Sequence, residues 1–176
     1  AAAGRLRSAG RTAMLAEVAV VGPDDQPLPT GQSGEIVARG PMVMQGYWNR
    51  PDLTAEALRG GWMHTGDAAY MDEEGFIYLV DRLKDMIISG GFNIWPAELE
   101  NVIMGHPDVI EVAVFSIPHE KWGESPAACC VVVEKASVTA DDIREMCANS
   151  LGSYKKPAEV FFQTEPLPKS PVGKVQ

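Results

Sequence analysis

Apolar and polar positions alternate through much of the first half of the chain, and a period of two predicts short strands. Ala16 to Val21 reads as one strand and Gly34 to Gly40 as another, with Ile36 and Ala38 on one face. Between them Gly22 to Pro27 reads as a turn, where proline fixes φ and aspartate bonds its own backbone. Leu28 to Gly34 is a polar connector, and Met42 to Arg50 is a loop carrying apolar bulk. A short helix is expected over Pro51 to Gly61, opened by proline and closed by glycine. The run Asp72-Glu73-Glu74-Gly75 separates two alternating segments and predicts a hairpin. On its outgoing strand Phe76, Tyr78 and Val80 share one face, Ile77 and Leu79 the other.

After Arg82 the period changes. Met86 to Ile88 is a short apolar strand stopped by Ser89, Gly90 and Gly91. Pro96 opens a helix whose Leu99, Val102 and Ile103 fall on one face, and Gly105 and Pro107 stop it. Val109 to Ile117 and Pro126 to Val133 read as strands, with Pro118 to Ser125 a polar loop between them. Thr139 suits the N-cap of a helix that presents Ile143, Met146 and Cys147 on one side. Glu159 to Gln163 is a third strand. The Pro-, Gly- and Ser-rich tail beyond it reads as a mobile or extended arm.

The expected fold is therefore α+β. Residues 1–83 form a β-rich subdomain with little helical cover, which should lean on something beyond this sequence. Residues 84–176 form a compact two-layer domain with a three-stranded sheet and two helices.

Bulk numbers narrow the function. A net charge of −9 argues against a nucleic-acid partner. No apolar run approaches the roughly 20 residues of a transmembrane segment. Ala1 to Ala16 lacks the apolar core of a signal peptide; it starts without Met and in mid-pattern, so the chain reads as a fragment. Cys129, Cys130 and Cys147 make no disulfide framework and read as buried thiols, which points to a reducing, cytoplasmic setting. His64, His106 and His119 lack metal-ligand spacing, so no metal site is expected.

A few residues could carry chemistry. Asp67, after Thr65 and Gly66, is either a turn aspartate or a carboxylate placed to accept both hydroxyls of a ribose. Arg82, Lys84 and Asp85 form either a solvated strand end or a nucleotide-facing cation with a pivot beside it. Gly90 and Gly91 allow positive φ or close approach by a ligand. Lys174 is either a solvated tail lysine or one that a mobile arm swings onto a phosphate. Neither GxxxxGK[ST] nor GxGxxG occurs. On the residues alone, the plainer reading is the default for each.

The order of motifs changes that balance. GEIVARGPMVMQGYWNRPDLTAEAL, GWMHTGD, VDRLKDMIISGGFNIWPAELE and LPKSPVGK occur in the order seen in the adenylate-forming enzymes. The chain resembles the C-terminal third of that superfamily from about Gly10 to Gln176. The superfamily comprises acyl-CoA synthetases, adenylation domains of peptide synthetases and luciferases. The resemblance implies that ATP activates a carboxylic acid, fatty or aryl, to an acyl-adenylate, which coenzyme A then captures. It implies Asp67 and Arg82 at the ATP or AMP ribose, Lys84 as the hinge, Gly90 and Gly91 along the pantetheine channel, and Lys174 as the catalytic lysine. It also implies Mg2+, for which no ligand is identified in this chain. The phosphate loop and acyl pocket belong to an N-terminal domain that is absent, so the fragment is expected to be inactive alone. Two alternatives stay open: an adenylation domain that loads a carrier-protein thiol, and a non-catalytic nucleotide- or CoA-binding module.

Overall fold

A computed structural model describes residues 5–171. The chain divides into two compact units, Ala1–Lys84 and Asp85–Gln176.

In the first unit, alternating apolar positions build an antiparallel sheet. Its strands are β1 (Gly10–Arg11), β2 (Glu17–Val21), β3 (Gly34–Arg39), β4 (Met63–Met71) and β5 (Phe76–Arg82), in the order β1-β5-β4-β3-β2. Val20, Val21, Val37, Ala68, Ala69 and Ile77 are its buried apolar residues. The helix α1 (Pro51–Ala57) buries none of its side chains. Asp72 closes the β4–β5 hairpin. Its carboxylate accepts the N–H groups of Glu74 at 3.0 Å and Phe76 at 2.8 Å, and the Tyr78 hydroxyl at 3.1 Å. These bonds, Phe76 first, hold its carboxyl below the usual range. Tyr70 and Tyr78 are register partners, and their rings stack at 4.9 Å.

The second unit contains β6 (Ile87–Ser89), β7 (Phe92–Ile94), α2 (Pro96–Ile103), β8 (Val109–His119), β9 (Gly123–Val132), α3 (Ala140–Leu151) and β10 (Glu159–Gln163). β9 is central: it pairs antiparallel with β8 and parallel with β10. β6 meets β9 at Ser89 and Gly123. The three expected strands are present, and the short β6–β7 hairpin brings the sheet to five.

The two helices bury Leu99, Ile103, Ile143 and Cys147 against Ile87, Ile94, Val114, Ala128 and Cys130. Each large aliphatic side chain buried this way contributes about 1.5–3 kcal/mol. Thr139 and Asp142 make a reciprocal cap on α3: the Thr139 hydroxyl accepts from Asp142 N at 3.2 Å, and the Asp142 carboxylate accepts from Thr139 N at 2.8 Å. Arg144 of α3 donates to the carbonyls of Pro157 at 3.2 Å and Ala158 at 2.8 Å, tying the helix to the entry of β10.

Two segments differ from expectation. Pro118 to Ser125 is mostly strand, because β8 and β9 form a long ribbon with a turn of only three residues between His119 and Gly123. The His119 ring nitrogen Nδ1 accepts the N–H groups of Lys121 and Trp122, both at 3.2 Å, which stabilises that turn. The arm after Gln163 is extended but docked: Leu167 is only 6% exposed. Among the described residues no helix is long and apolar enough to cross a membrane.

Candidate functional site

Asp67 lies on β4 directly opposite Arg82 on β5, and Arg82 Nε meets Asp67 Oδ1 at 3.0 Å. The ladder shifts register between Ala68 and Ala69, a bulge next to the aspartate. The approach to Asp67 is held in place by hydrogen bonds. Thr65 Oγ1 donates to the Ile36 carbonyl at 2.7 Å and accepts from Asp67 N at 3.1 Å. Gly66 N donates to Glu35 Oε1 at 2.9 Å. A half-exposed carboxylate thus stands on a fixed strand with a guanidinium orienting one oxygen, an arrangement suited to accepting vicinal hydroxyls.

In the second unit, Gly90 and Gly91 are the two central residues of the β6–β7 hairpin, with φ of 57° and 86°. A two-residue turn with both φ positive matches the twist of its strands and favours glycine. Gly90 has a second constraint. Its N–H donates to the Trp122 carbonyl at 3.1 Å, and a Cβ there would stand 2.7 Å from the indole. Around it lies a cavity of about 330 Å³, lined by Gly90, Phe92, His119, Trp122, Tyr154 and Lys156, among others. Phe92 and Tyr154 meet at 5.0 Å between ring centres, and Lys121 sits over the Trp122 ring at 4.5 Å. Such a wall accepts flat or chain-like apolar groups, with ammonium groups close by for an anion. Gly91 faces open space, since nothing lies within 4 Å of a Cβ placed on it.

Comparison with known proteins assigns the chain to a family. The AMP-binding enzyme C-terminal domain matches residues 98–174, and the AMP-binding enzyme family matches residues 2–48. This chain belongs to the adenylate-forming, AMP-binding enzymes. It is 45% identical over 171 residues to a feruloyl-CoA synthase of an Amycolatopsis species, covering 97% of this chain and 35% of that protein. It is 48% identical over 168 residues to the long-chain-fatty-acid–CoA ligase FadD13 of Mycobacterium tuberculosis, covering 96% of this chain and 33% of that one. Its fold superposes with a TM-score of 0.89 on o-succinylbenzoate CoA synthetase (MenE) from Bacillus subtilis, solved with the acyl-adenylate intermediate OSB-AMP. That match has 38% identity and covers 99% of this chain and 35% of MenE. The chain spans about a third of the length of the relatives it matches, and it corresponds to the C-terminal part of an adenylate-forming enzyme.

Of the residues expected to act in an adenylate-forming enzyme, the fold brings Asp67 and Arg82 into contact. Lys84 is exposed in a single helical turn, Leu83–Asp85, where the two units meet in sequence. Lys174 lies outside the described residues. Sequence reasoning missed Glu35, whose carboxylate reaches both Gly66 N and, at 2.8 Å, His64 Nδ1. Only the strand pairing shows it, because β3 brings Glu35 opposite Ala68 on β4.

Asp25, Glu35 and His64 bring three potential metal-ligand atoms within 4.8 Å of one another. Arg59 already holds both carboxylates, reaching Asp25 at 3.1 Å and Glu35 at 3.3 Å, and its hydrogen bond draws the Asp25 carboxyl below the usual range. A fixed guanidinium among the donors does not suit Mg2+, which demands an octahedron of oxygens. The group is an ion-pair cluster that also steadies Glu35.

Proposed function

We propose that this chain is the C-terminal third of an AMP-forming acyl-CoA synthetase acting on a fatty or aryl acid. In the first half-reaction a carboxylate oxygen attacks the α-phosphorus of ATP and the bond to pyrophosphate breaks. In the second, the coenzyme A thiol attacks the acyl carbon, the C–O bond to the phosphate breaks, and AMP leaves. The observation that carries this reading is the Asp67–Arg82 pair, a carboxylate oriented across two strands and still open to solvent on one side.

Asp67 accepts the ribose hydroxyls, and Arg82 fixes its orientation. Preorganised hydrogen bonding of this kind places the reacting phosphate without reorganisation at the moment of reaction. Lys174 brings an ammonium group to the charge that builds on the reacting oxygens. Lys84 is the hinge that carries it in and out. Once the lysine is withdrawn, the thiol needs a channel, and the Gly90–Gly91 turn with its aromatic cavity supports that role. The phosphate loop and acyl pocket lie outside this chain, so it does not turn over alone.

The test is acid-dependent exchange of labelled pyrophosphate into ATP by the complete enzyme that carries this chain, screened over acids of graded length and aromaticity. Exchange with a fatty or aryl acid, followed by thioester formation when coenzyme A is added, is expected. Exchange with no acid in the screen, or an adenylate that coenzyme A cannot discharge, would sink the assignment.

A further inference from the structure

The β3–β4 ladder breaks at Asp67. Glu35 pairs with Ala68 and Val37 with His64, so two steps along β3 match four along β4. Thr65, Gly66 and Asp67 therefore all stand opposite Ile36. In such a bulge the backbone groups lose their regular ladder partners and must find others. Side chains supply them: Thr65 Oγ1 serves the Ile36 carbonyl and the Asp67 N–H, and Glu35 Oε1 takes the Gly66 N–H at 2.9 Å.

Glu35 is fully committed. Its second oxygen, Oε2, meets His64 Nδ1 at 2.8 Å and Arg59 Nη2 at 3.3 Å. Its side chain is only 12% exposed, so it is a largely buried acceptor and not a surface acid. Gly66 has a φ of 73°, and space is not the reason for a glycine there, since nothing lies within 4 Å of a Cβ placed on it. The backbone conformation is the reason. A glycine adopts either sign of φ readily, so an outside bond has to select one. Asp67 is thus fixed from both neighbouring strands. Arg82 on β5 holds its carboxylate, and Glu35 on β3 holds the peptide before it.

We propose that Glu35 is a positioning residue for ribose recognition, acting through the Gly66 N–H to set the backbone from which Asp67 projects. This rests on the reading of Asp67 as the acceptor of the ribose hydroxyls. His64 and Arg59 hold Glu35 in turn, and Asp25 holds Arg59 at 3.1 Å. Without the bond to Glu35, Gly66 samples other conformations, and only a fraction of them aim Asp67 at a ribose. The loss falls on use of the two hydroxyls and not on the chemical step.

The test compares ATP with 2′,3′-dideoxy-ATP in adenylate formation by the complete enzyme. Glu35→Met and Glu35→Gln are close in length and uncharged, but only glutamine keeps an acceptor for the Gly66 N–H. Glu35→Met should raise the KM for ATP about tenfold with kcat within about twofold, the pattern of a lost binding contact. Its kcat/KM for the dideoxy analogue should stay within about twofold of the unaltered enzyme, because the hydroxyls that Asp67 accepts are missing there. Glu35→Gln should keep most of the preference for ATP. Glu35→Asp, which draws the acceptor back by one methylene, should lose part of that preference and serves if Glu35→Met does not fold. A fall of the same size with both nucleotides, or equal behaviour of the methionine and glutamine variants, overturns the positioning role.

Hydrogen exchange at the Gly66 amide of the unaltered enzyme tests the bond itself. Protection is expected, and exchange at the rate of a free amide overturns it. Asp67→Ala run alongside separates the two ideas, since it should abolish the preference for ATP over the dideoxy analogue. If that preference survives, the reading of Asp67 fails and the positioning claim falls with it, whereas Gly66 exchange still reports on the Glu35 bond.

Discussion

The two units handle burial in opposite ways. The second has helices on its sheet and a core in which Ile87, Ile94, Leu99, Ile103 and Ile143 are fully buried. The first has a sheet of similar strand number, but its helix α1 buries nothing, and Leu79, Met42 and Trp48 are exposed. Its order comes instead from polar devices: the Asp72 turn, the Asp67–Arg82 pair and the Arg59 cluster. Elements that hold a ligand group in a fixed place need rigid backbone, whereas a part that moves as a body needs its own core. The difference between the units fits the function proposed above, in which Asp67 on the first unit is the fixed nucleotide carboxylate and the second unit folds separately.

That contrast breaks first if the cores are not independent. Ile143→Ala should cost the second unit about 2–5 kcal/mol, as expected for a fully buried aliphatic truncation. Exchange of β3 and β4 amides should stay unchanged, and loss of protection in both units together would show a single cooperative core. Next, Lys174→Ala in the complete enzyme should slow adenylate formation on the order of 10²–10³-fold, the usual loss for one preorganised charge-stabilising donor. Single-turnover assays of the two half-reactions separate this from a general defect, which would slow thioester formation as well.

The smallest effect concerns thiols, since all three cysteines lie in the second unit. Burial first, then neighbouring Cys129 and Cys147, pushes the Cys130 thiol up from 9.0 to about 11, and burial does the same to Cys147. A raised folded-state pKa means that the folded chain keeps the proton longer than the unfolded chain. The stability is therefore fully present below about pH 9 and declines as pH rises toward 11. Thermal melts followed by β8 and β9 probes should show this slope, and Cys147→Ala should flatten it. An equal slope in the first unit would trace the effect to other groups.

Much of the fold was legible because its elements carry strong periods or stop signals. Strands over Glu17–Val21 and Phe76–Arg82, helices starting at Pro51 and Pro96, and the Thr139 cap are where local sequence places them. β1 was not legible, since two residues have no period, and its partner Phe76 lies far along the chain. The ribbon around His119 was read as a loop because its polar residues hide the alternation, and its stabilising bonds come from a side chain folding back onto backbone. The docked arm escaped for a similar reason. Proline and lysine suggest exposure, and only the strand register shows that Glu111 of β8 waits across the sheet for the Leu167 N–H. At the site, Asp67 and Arg82 were visible as residue types, but their partnership needed the hairpin register, and Glu35 needed a third strand.

The docked arm is best treated as a ligand carried by its own receptor. Burying one leucine is worth about 1.5–3 kcal/mol, an attached-to-detached ratio of roughly ten- to a hundredfold. Gln163 and Leu167 are only four residues apart, so detachment never dilutes the arm, and rebinding is a local event. Attachment is therefore a population and not a bond, and a modest competing contact elsewhere could draw the arm away without unfolding anything beneath it.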